Sequence, residues 1–290
     1  MTRYSLYLGC MIPLRFPSIE KGARHVFKEL GAELLDIEGY TCCPDPVITR
    51  LVGEKLTRAL SFRNLALAEQ KGVDLVVLCN GCYESLFEAE EYLHQHPEAA
   101  EAINQELKEQ GLEYTGKLRI RHFLDVLKED FGYDTIRAKV TKPRELRMAY
   151  HPGCHMLRGP GDMDINQRPN IQLELARVTG VEIVPCGLEQ LCCGFPAMNV
   201  DEKFALTERL APKLRKIAEK EVDALLLACP TCAAQFEVGQ LMLRKYKEKF
   251  SIPCIHIMEL LALSFGLPVE EMGLEVHRCK IKKLAEKIWV

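Results

Sequence analysis

The stretch Val73-Asp74-Leu75-Val76-Val77-Leu78-Cys79-Asn80-Gly81-Cys82 carries an apolar run of strand length into a CX2C pair. Such a run, without the alternation of a half-exposed strand, predicts a parallel strand buried on both faces. It recurs as Val222-Asp223-Ala224-Leu225-Leu226-Leu227-Ala228-Cys229-Pro230-Thr231-Cys232, with its CX2C pair 150 positions later. Thirty-five residues upstream of each CX2C pair stand adjacent cysteines, Cys42-Cys43-Pro44 and Cys192-Cys193-Gly194. A further cysteine leads each copy: Cys10, with thirty-one residues before Cys42, and Cys154, with thirty-seven before Cys192. Ten of the thirteen cysteines thus fall into one tandem pattern, CX31–37-CC-X35-CX2C.

Around these cysteines, strand and helix patterns alternate. Residues 4–8 predict a strand ending at Gly9-Cys10, 18–30 a helix and 32–37 a second strand leading to Cys42-Cys43. A helix over 51–70 precedes the strand at 73–78, and a helical region runs from Cys82 to about Gln110 with a break at His96-Pro97. A short strand at 118–121 and a helix at 122–130 follow. The second half repeats the order: strand 146–150, helix 170–179, strand 181–184, helix 201–219, strand 222–228 and helix 233–250. Arg121-His122-Phe123 at the end of one half matches Ile255-His256-Ile257 in the other. This alternation calls for a parallel sheet with right-handed crossovers in each half. The expected architecture is α/β: two tandem Rossmann-like domains, 1–145 and 146–290, related by a pseudo-twofold. Their boundary is expected in the polar stretch 139–145.

A chain of 290 residues, 48% hydrophobic and 27% charged, suits two globular domains of ordinary size. A net charge of −3 gives no reason to expect a nucleic-acid partner. No apolar run reaches the ~18–20 residues of a membrane span, and Met1-Thr2-Arg3-Tyr4 does not open a signal peptide, so a cytoplasmic location is expected. In that reducing compartment, thirteen cysteines predict metal ligation or redox chemistry rather than structural disulfides.

In parallel sheets, sites form outside the carboxyl ends of the strands. Cys10, Cys42-Cys43 and Cys79 each follow a predicted strand, and Cys82 opens a helix, so five sulfurs gather at one edge of each half. Helix N-termini there favour thiolates and a sulfide-rich guest. One zinc, or one cubane cluster, takes four ligands and leaves a fifth cysteine over in each half. Iron–sulfur clusters, zinc in place of a cluster and dithiol chemistry all stay open on this count.

The doubled pattern resembles the cysteine-rich CCG-domain family, and within it the B subunit of heterodisulfide reductase. The resemblance rests on Cys42-Cys43-Pro44, Tyr150-His151-Pro152-Gly153-Cys154-His155, Cys192-Cys193-Gly194 and Cys229-Pro230-Thr231-Cys232. Cys42-Cys43-Pro44 departs from the usual Cys-Cys-Gly. The resemblance implies two non-cubane [4Fe-4S] clusters, one on Cys10, Cys42, Cys43, Cys79 and Cys82, the other on Cys154, Cys192, Cys193, Cys229 and Cys232. It implies reductive cleavage of the coenzyme M–coenzyme B heterodisulfide, or a related disulfide, between facing clusters, as in methanogenesis. Electrons would come singly from the ferredoxin-like C subunit of heterodisulfide reductase and, through it, the flavin-containing A subunit. The alternative within the family is an electron-transfer component of a lactate- or glycolate-oxidising complex. Phe195 and Pro196, after the second CCG, are expected to shape the pocket.

Outside the ten cysteines, His151 and His155 flank Cys154 and are candidate proton donors to a departing thiolate. Arg15 and Arg158 each follow the first cysteine of a repeat and are candidate forks for an anionic substrate group. His122 and His256 recur at equivalent positions, as outer partners of cluster sulfur or as structural histidines. Cys186, Cys254 and Cys279 lack counterparts and read as incidental thiols. Glu84, Glu88, Glu90 and Glu91 read as a solvated face, and 276–288 as a basic terminal helix packed on its own half.

Overall fold

The computed structural model describes residues 1–44, 47, 53–141, 143, 145–158, 163–279 and 281–289. Two four-stranded parallel sheets, ordered β2-β1-β3-β4 and β6-β5-β7-β8, each come from one half of the chain. The first uses β1 (Thr2–Tyr7), β2 (Ala32–Asp36), β3 (Leu75–Val77) and β4 (Ile120–His122). The second uses β5 (Arg147–His151), β6 (Glu182–Ile183), β7 (Ala224–Leu227) and β8 (Cys254–His256). The central pairs are in equivalent register, Ser5↔Leu75 to Tyr7↔Val77 and Met148↔Ala224 to His151↔Leu227. Leu75, Val76 and Val77 are buried, as are all four residues of β7, which explains why these strands are apolar throughout.

The helices begin where local chemistry allows. Pro17, Pro97 and Pro230 each stand at the first turn of a helix, where the missing N–H costs nothing. The expected break at His96-Pro97 separates Asn80–Gln95 from Pro97–Lys108. Several boundaries differ from expectation. The helix after β7 starts at Pro230, so both cysteines of the pair lie at its cap and first turn, and it ends at Met242 before a 3-10 turn. Among the helices that the sequence did not predict, Met11–Arg15, Gly132–Lys139 and Val269–Met272 are too short for a periodic signal. The helix expected from Leu51 begins at Glu54, and Leu51 and Val52 lie outside the described residues. The terminal helix runs Ile281–Trp289 rather than from Val276, with Ile281, Leu284 and Ala285 buried.

The halves exchange helices reciprocally. Pro17–Glu29, which follows β1, packs on Ile257–Ser264, which follows β8; Gln167–Arg177, between β5 and β6, packs on Phe123–Val126, which follows β4. Likewise Met11–Arg15 meets Pro230–Met242, and the turn Cys154–Leu157 meets Asn80–Gln95. Such exchange is what a pseudo-twofold between the sheets requires. A Cβ on Gly22 would sit 2.8 Å from the Met258 carbonyl oxygen, so this approach admits no side chain. Gly22→Ala should therefore cost ~1–3 kcal/mol through overpacking, read as a lower denaturation midpoint at unchanged slope.

Candidate metal centre

Each sheet order reverses direction beside its first strand, because β2 lies on one side of β1 and β3 on the other. The crevice at that switch point is where ligands bind in open parallel sheets. Cys10 follows β1 and Cys79 follows β3, so they flank it, and Cys154 and Cys229 do the same in the second half. Gly9 and Gly153 make the approach possible. Both hold positive φ, +66° and +86°, and a Cβ on Gly9 would stand 2.6 Å from the Cys82 sulfur.

The ten sulfurs form one continuous row. Cys10 meets Cys42 at 3.7 Å, Cys42 meets Cys43, and Cys43 meets Cys82. Cys82 contacts Cys79, and Cys79 crosses to the other half to contact Cys229. From there the order is mirrored: Cys229 to Cys232, Cys232 to Cys193 at 3.6 Å, Cys193 to Cys192, and Cys192 to Cys154 at 3.9 Å. The two sets of five are thus back to back, with the pseudo-twofold passing between Cys79 and Cys229.

This row stores an electrostatic conflict. Cys79 and Cys229 stand at the N-caps of helices, where the backbone of Cys82 and Cys232 favours their thiolates. The hydrogen bond from Cys232, then that from Cys79, holds Cys229 well below the usual thiol range. Contacts with Cys42 and Cys82 likewise lower Cys43. Their neighbours move the other way: Cys43 and Cys79 raise Cys82, and Cys193 and Cys229 raise Cys232. Adjacent sulfurs cannot all ionise without cations among them. A cationic metal–sulfide guest removes that restriction, so the donor set fits iron–sulfur clusters. A cavity of about 110 Å³ lies against Cys10, Cys42, Cys43, Cys79 and Cys82 and is closed by Phe195, Pro230 and Thr231 of the other half. Phe195 thus lies at the pocket, as expected. A larger cleft, about 740 Å³ between Glu69–Asp74 and Gly111–Leu118, contains no cysteine.

Behind the sulfurs the halves differ. Lys213, only 2% exposed, reaches His151 Nδ1 at 2.9 Å, the Leu191 carbonyl at 2.5 Å and the Glu189 carbonyl at 3.0 Å. His151 Nδ1 also lies 3.0 Å from the Glu189 carbonyl, so Lys213 and the imidazole share that oxygen. Nε2 is buried with no hydrogen-bond partner among the described residues, and the ring lies within 4.8 Å of the Cys193 and Cys232 sulfurs. At the same place in the first half, Tyr7 donates to the Thr41 carbonyl at 2.6 Å and accepts from Asn64 at 3.1 Å. One nest is backed by a buried lysine and an imidazole, the other by tyrosine and asparagine. Lys213 was not singled out from sequence; its signal is a lysine on the apolar face that Leu206, Leu210, Leu214 and Ile217 define.

The remaining predicted residues are placed as follows. Arg158 and His155 both bind Glu84, which belongs to the other half and is buried at 1% exposure. Glu84 therefore leaves the expected solvated face; the helix turns it inward, toward the cationic groups that follow Cys154. Burial would raise its carboxyl, but the hydrogen bond from His155 and the charges of His155 and Arg158 hold it below the ordinary 4.5. Beside it Arg168, also not singled out from sequence, donates to Asp125, to the Arg158 carbonyl and to Tyr83, each at 2.8 Å. Arg15 lies against the Phe16 ring, and its buried Nη2 has no hydrogen-bond partner among the described residues. His122 and His256 cap helices, accepting from the N–H groups of Leu124 and Met258. His122 also meets Asn80 at 2.9 Å, and Asn80 donates across the halves to the Pro152 carbonyl at 2.8 Å.

Comparison with known proteins places this arrangement. The cysteine-rich CCG domain matches twice, at residues 4–87 and 148–237. The chain belongs to the cysteine-rich CCG-domain family of heterodisulfide reductase B subunits. It is 33% identical to the B subunit of the ferredoxin/F420H2-dependent CoB-CoM heterodisulfide reductase of Methanosarcina acetivorans, over 100% of this chain and 98% of that one. It is also 33% identical to a protein of Archaeoglobus profundus described as like the heterodisulfide reductase B subunit, over 94% of each. A crystal structure of a hypothetical protein from Helicobacter pylori shares the fold at a TM-score of 0.74 and 18% identity. That match covers 96% of this chain and 52% of the other. Among the described residues, no helix of this family member is long and apolar enough to cross a membrane.

Glu84→Gln should destabilise the folded chain by ~1–3 kcal/mol, because two donors lose a buried carboxylate. Its contribution in the parent is complete above pH 4.5 and is lost as pH falls through the depressed value, so the variant should show a shallower acid limb in pH-dependent unfolding.

Proposed function

We propose that this chain is the catalytic iron–sulfur component of a disulfide-reducing complex. It takes the coenzyme M–coenzyme B heterodisulfide, or a related small-molecule disulfide, and returns two thiols. The observation that carries this reading is the unbroken row of ten sulfurs, divided five and five at Cys79 and Cys229. Two electrons and two protons balance the cleavage of one S–S bond into two thiols, whereas iron–sulfur carriers pass electrons singly. Two non-cubane [4Fe-4S] clusters, one held by each set of five in the domains 1–145 and 146–290, would supply that one-electron chemistry when bound.

The chain's own groups prepare the site. Helix N-termini behind Cys79 and Cys229 favour negative charge on sulfur. Phe195, Pro230 and Thr231 wall the first nest, while Cys10 and Cys42 remain exposed at its mouth. His151, held by Lys213, places its imidazole beside Cys193 and Cys232. Electrons are proposed to come from a ferredoxin-like C subunit and, through it, a flavin-containing A subunit. The proposed compartment is the cytoplasm, where free thiols persist.

Anaerobically prepared protein should carry about eight irons per chain. Reduced dye should be oxidised by the heterodisulfide, and oxidised dye should not be reduced by lactate or glycolate; dye reduction by either acid without heterodisulfide turnover would reject the assignment. Cys82→Ser should lose about half the iron, whereas Cys186→Ser should lose none, since the Cys186 thiol lies outside the row of ten and donates to the Val184 carbonyl in its own loop. Lys213→Met should lower the midpoint potential of the second-half cluster alone, by roughly 60 mV for a tenfold change in a one-electron couple. Redox titration followed by electron paramagnetic resonance reads this directly, and an equal shift in both clusters would contradict it.

A further inference from the structure

Large apolar side chains reach solvent just beyond the second pair of adjacent cysteines. Gly194, at a φ of +89°, turns the chain out of Cys192-Cys193, and a Cβ there would stand 2.9 Å from the Ala205 carbonyl oxygen. The loop is thus pressed onto the helical segment that follows it. Its 3-10 turn, Phe195–Asn199, closes the first nest with Phe195 and delivers Val200 to the outside, 81% exposed. The turn packs on Glu202–Phe204, whose Phe204 is exposed, and on Pro230–Met242. From the latter helix Val238 and Leu241, one turn apart, are exposed as well. A Cβ on Gly239, between them, would meet the Leu210 side chain, so this helix and Ala205–Leu210 form one continuous surface. Single apolar side chains at a surface need no explanation, whereas four on adjoining elements mark a contact face.

The rim of this face is basic, although the whole chain carries a net charge of −3. Lys203, Arg244, Lys247 and Lys249 are exposed around it, and the Arg209 guanidinium lies 5.1 Å from the Phe204 ring centroid. The nearby acids are engaged within the chain. Asp201 accepts from the Phe204 N–H at 2.9 Å, Glu202 pairs with Lys245, Glu248 pairs with Arg215, and Glu208 accepts from the Thr207 hydroxyl. We infer that Val200, Phe204, Val238 and Leu241 form the docking face for an acidic one-electron carrier protein. An apolar centre inside a ring of cations complements a carrier with carboxylates around its own apolar contact. The place suits electron delivery, because the face is entered directly from Cys192-Cys193 and only Phe195 separates it from the first five sulfurs. The inference rests on the disulfide-reducing role proposed above and locates the entry of its electrons.

Stopped-flow reduction of the full, iron-loaded chain tests it, with two donors compared: a reduced acidic ferredoxin carrying two [4Fe-4S] clusters, and reduced methyl viologen, which needs no docking face. Val200→Glu combined with Phe204→Glu should slow reduction by the ferredoxin ~10-fold and leave reduction by viologen unchanged. Lys203→Glu combined with Arg244→Glu should slow the ferredoxin reaction and flatten its dependence on salt, which in the parent should be a several-fold fall between about 50 and about 200 mM. An unchanged ferredoxin rate in the first variant would overturn the inference. Equal slowing with both donors would place the effect at the clusters, and loss of a parent dimer in sedimentation would give the face to a second copy; either result also overturns it. Viologen-driven heterodisulfide turnover is measured on the same samples. A parent without that turnover would fail the disulfide-reducing assignment, whereas a parent with turnover and no difference between donors would fail the docking face alone.

Discussion

The contact between Cys79 and Cys229 is the constraint on which the rest of the molecule depends. Each sulfur ends a central strand and caps the helix that follows, so bringing the two together fixes the relation between the sheets. Helix caps then face one another across a pseudo-twofold, and their N–H groups converge on the same small volume. Like-sign charge would accumulate there if every thiol ionised, and the opposed shifts of Cys229 and Cys232, and of Cys43 and Cys82, reflect that crowding. The helix exchange on either side, with Pro17–Glu29 on Ile257–Ser264 and Gln167–Arg177 on Phe123–Val126, holds the halves against this repulsion.

Polar groups at the junction follow from the same constraint. A surface that joins two halves around ionisable sulfur cannot be purely apolar, because turns such as Pro152-Gly153 leave carbonyls to satisfy. Asn80 answers one of them, and Arg168 satisfies the Arg158 carbonyl together with Asp125 and Tyr83. Buried ion pairs of this kind contribute little net stability, since desolvation offsets much of the attraction. They do penalise any misaligned docking, which would strand a buried charge. Register between the halves is thereby specified more sharply than apolar packing alone would achieve.

Much of this was legible in the residues. The 150-position offset, the apolar runs before each CX2C pair and the Pro and Gly punctuation lead to parallel sheets with cysteines at their carboxyl ends. What was not legible depends on contacts between distant segments. Glu84 shares a helix with Glu88, Glu90 and Glu91, and nothing local distinguishes it; only the docking of Arg158 and His155 buries it. Lys213 and Arg168 lie on buried helix faces, a weak signal because long side chains often reach solvent from such positions. The approach of Cys279 to Glu237 and to Cys254 likewise joins separate elements. Helix ends moved by a few residues where caps outweighed periodicity, as at Pro230.

The pairing of Tyr7 with Asn64 in one half and His151 with Lys213 in the other has a consequence for orientation. A chamber with perfect twofold symmetry would accept an unsymmetrical molecule in either of two equivalent poses. Here one wall is backed by Tyr7 and Asn64 and the other by a buried lysine and an imidazole. Under the disulfide-reducing role proposed above, the two poses would differ in energy, and a guest with one more anionic end would have a preferred direction of entry. Duplication built the chamber, and divergence behind the sulfurs gave it a head and a tail.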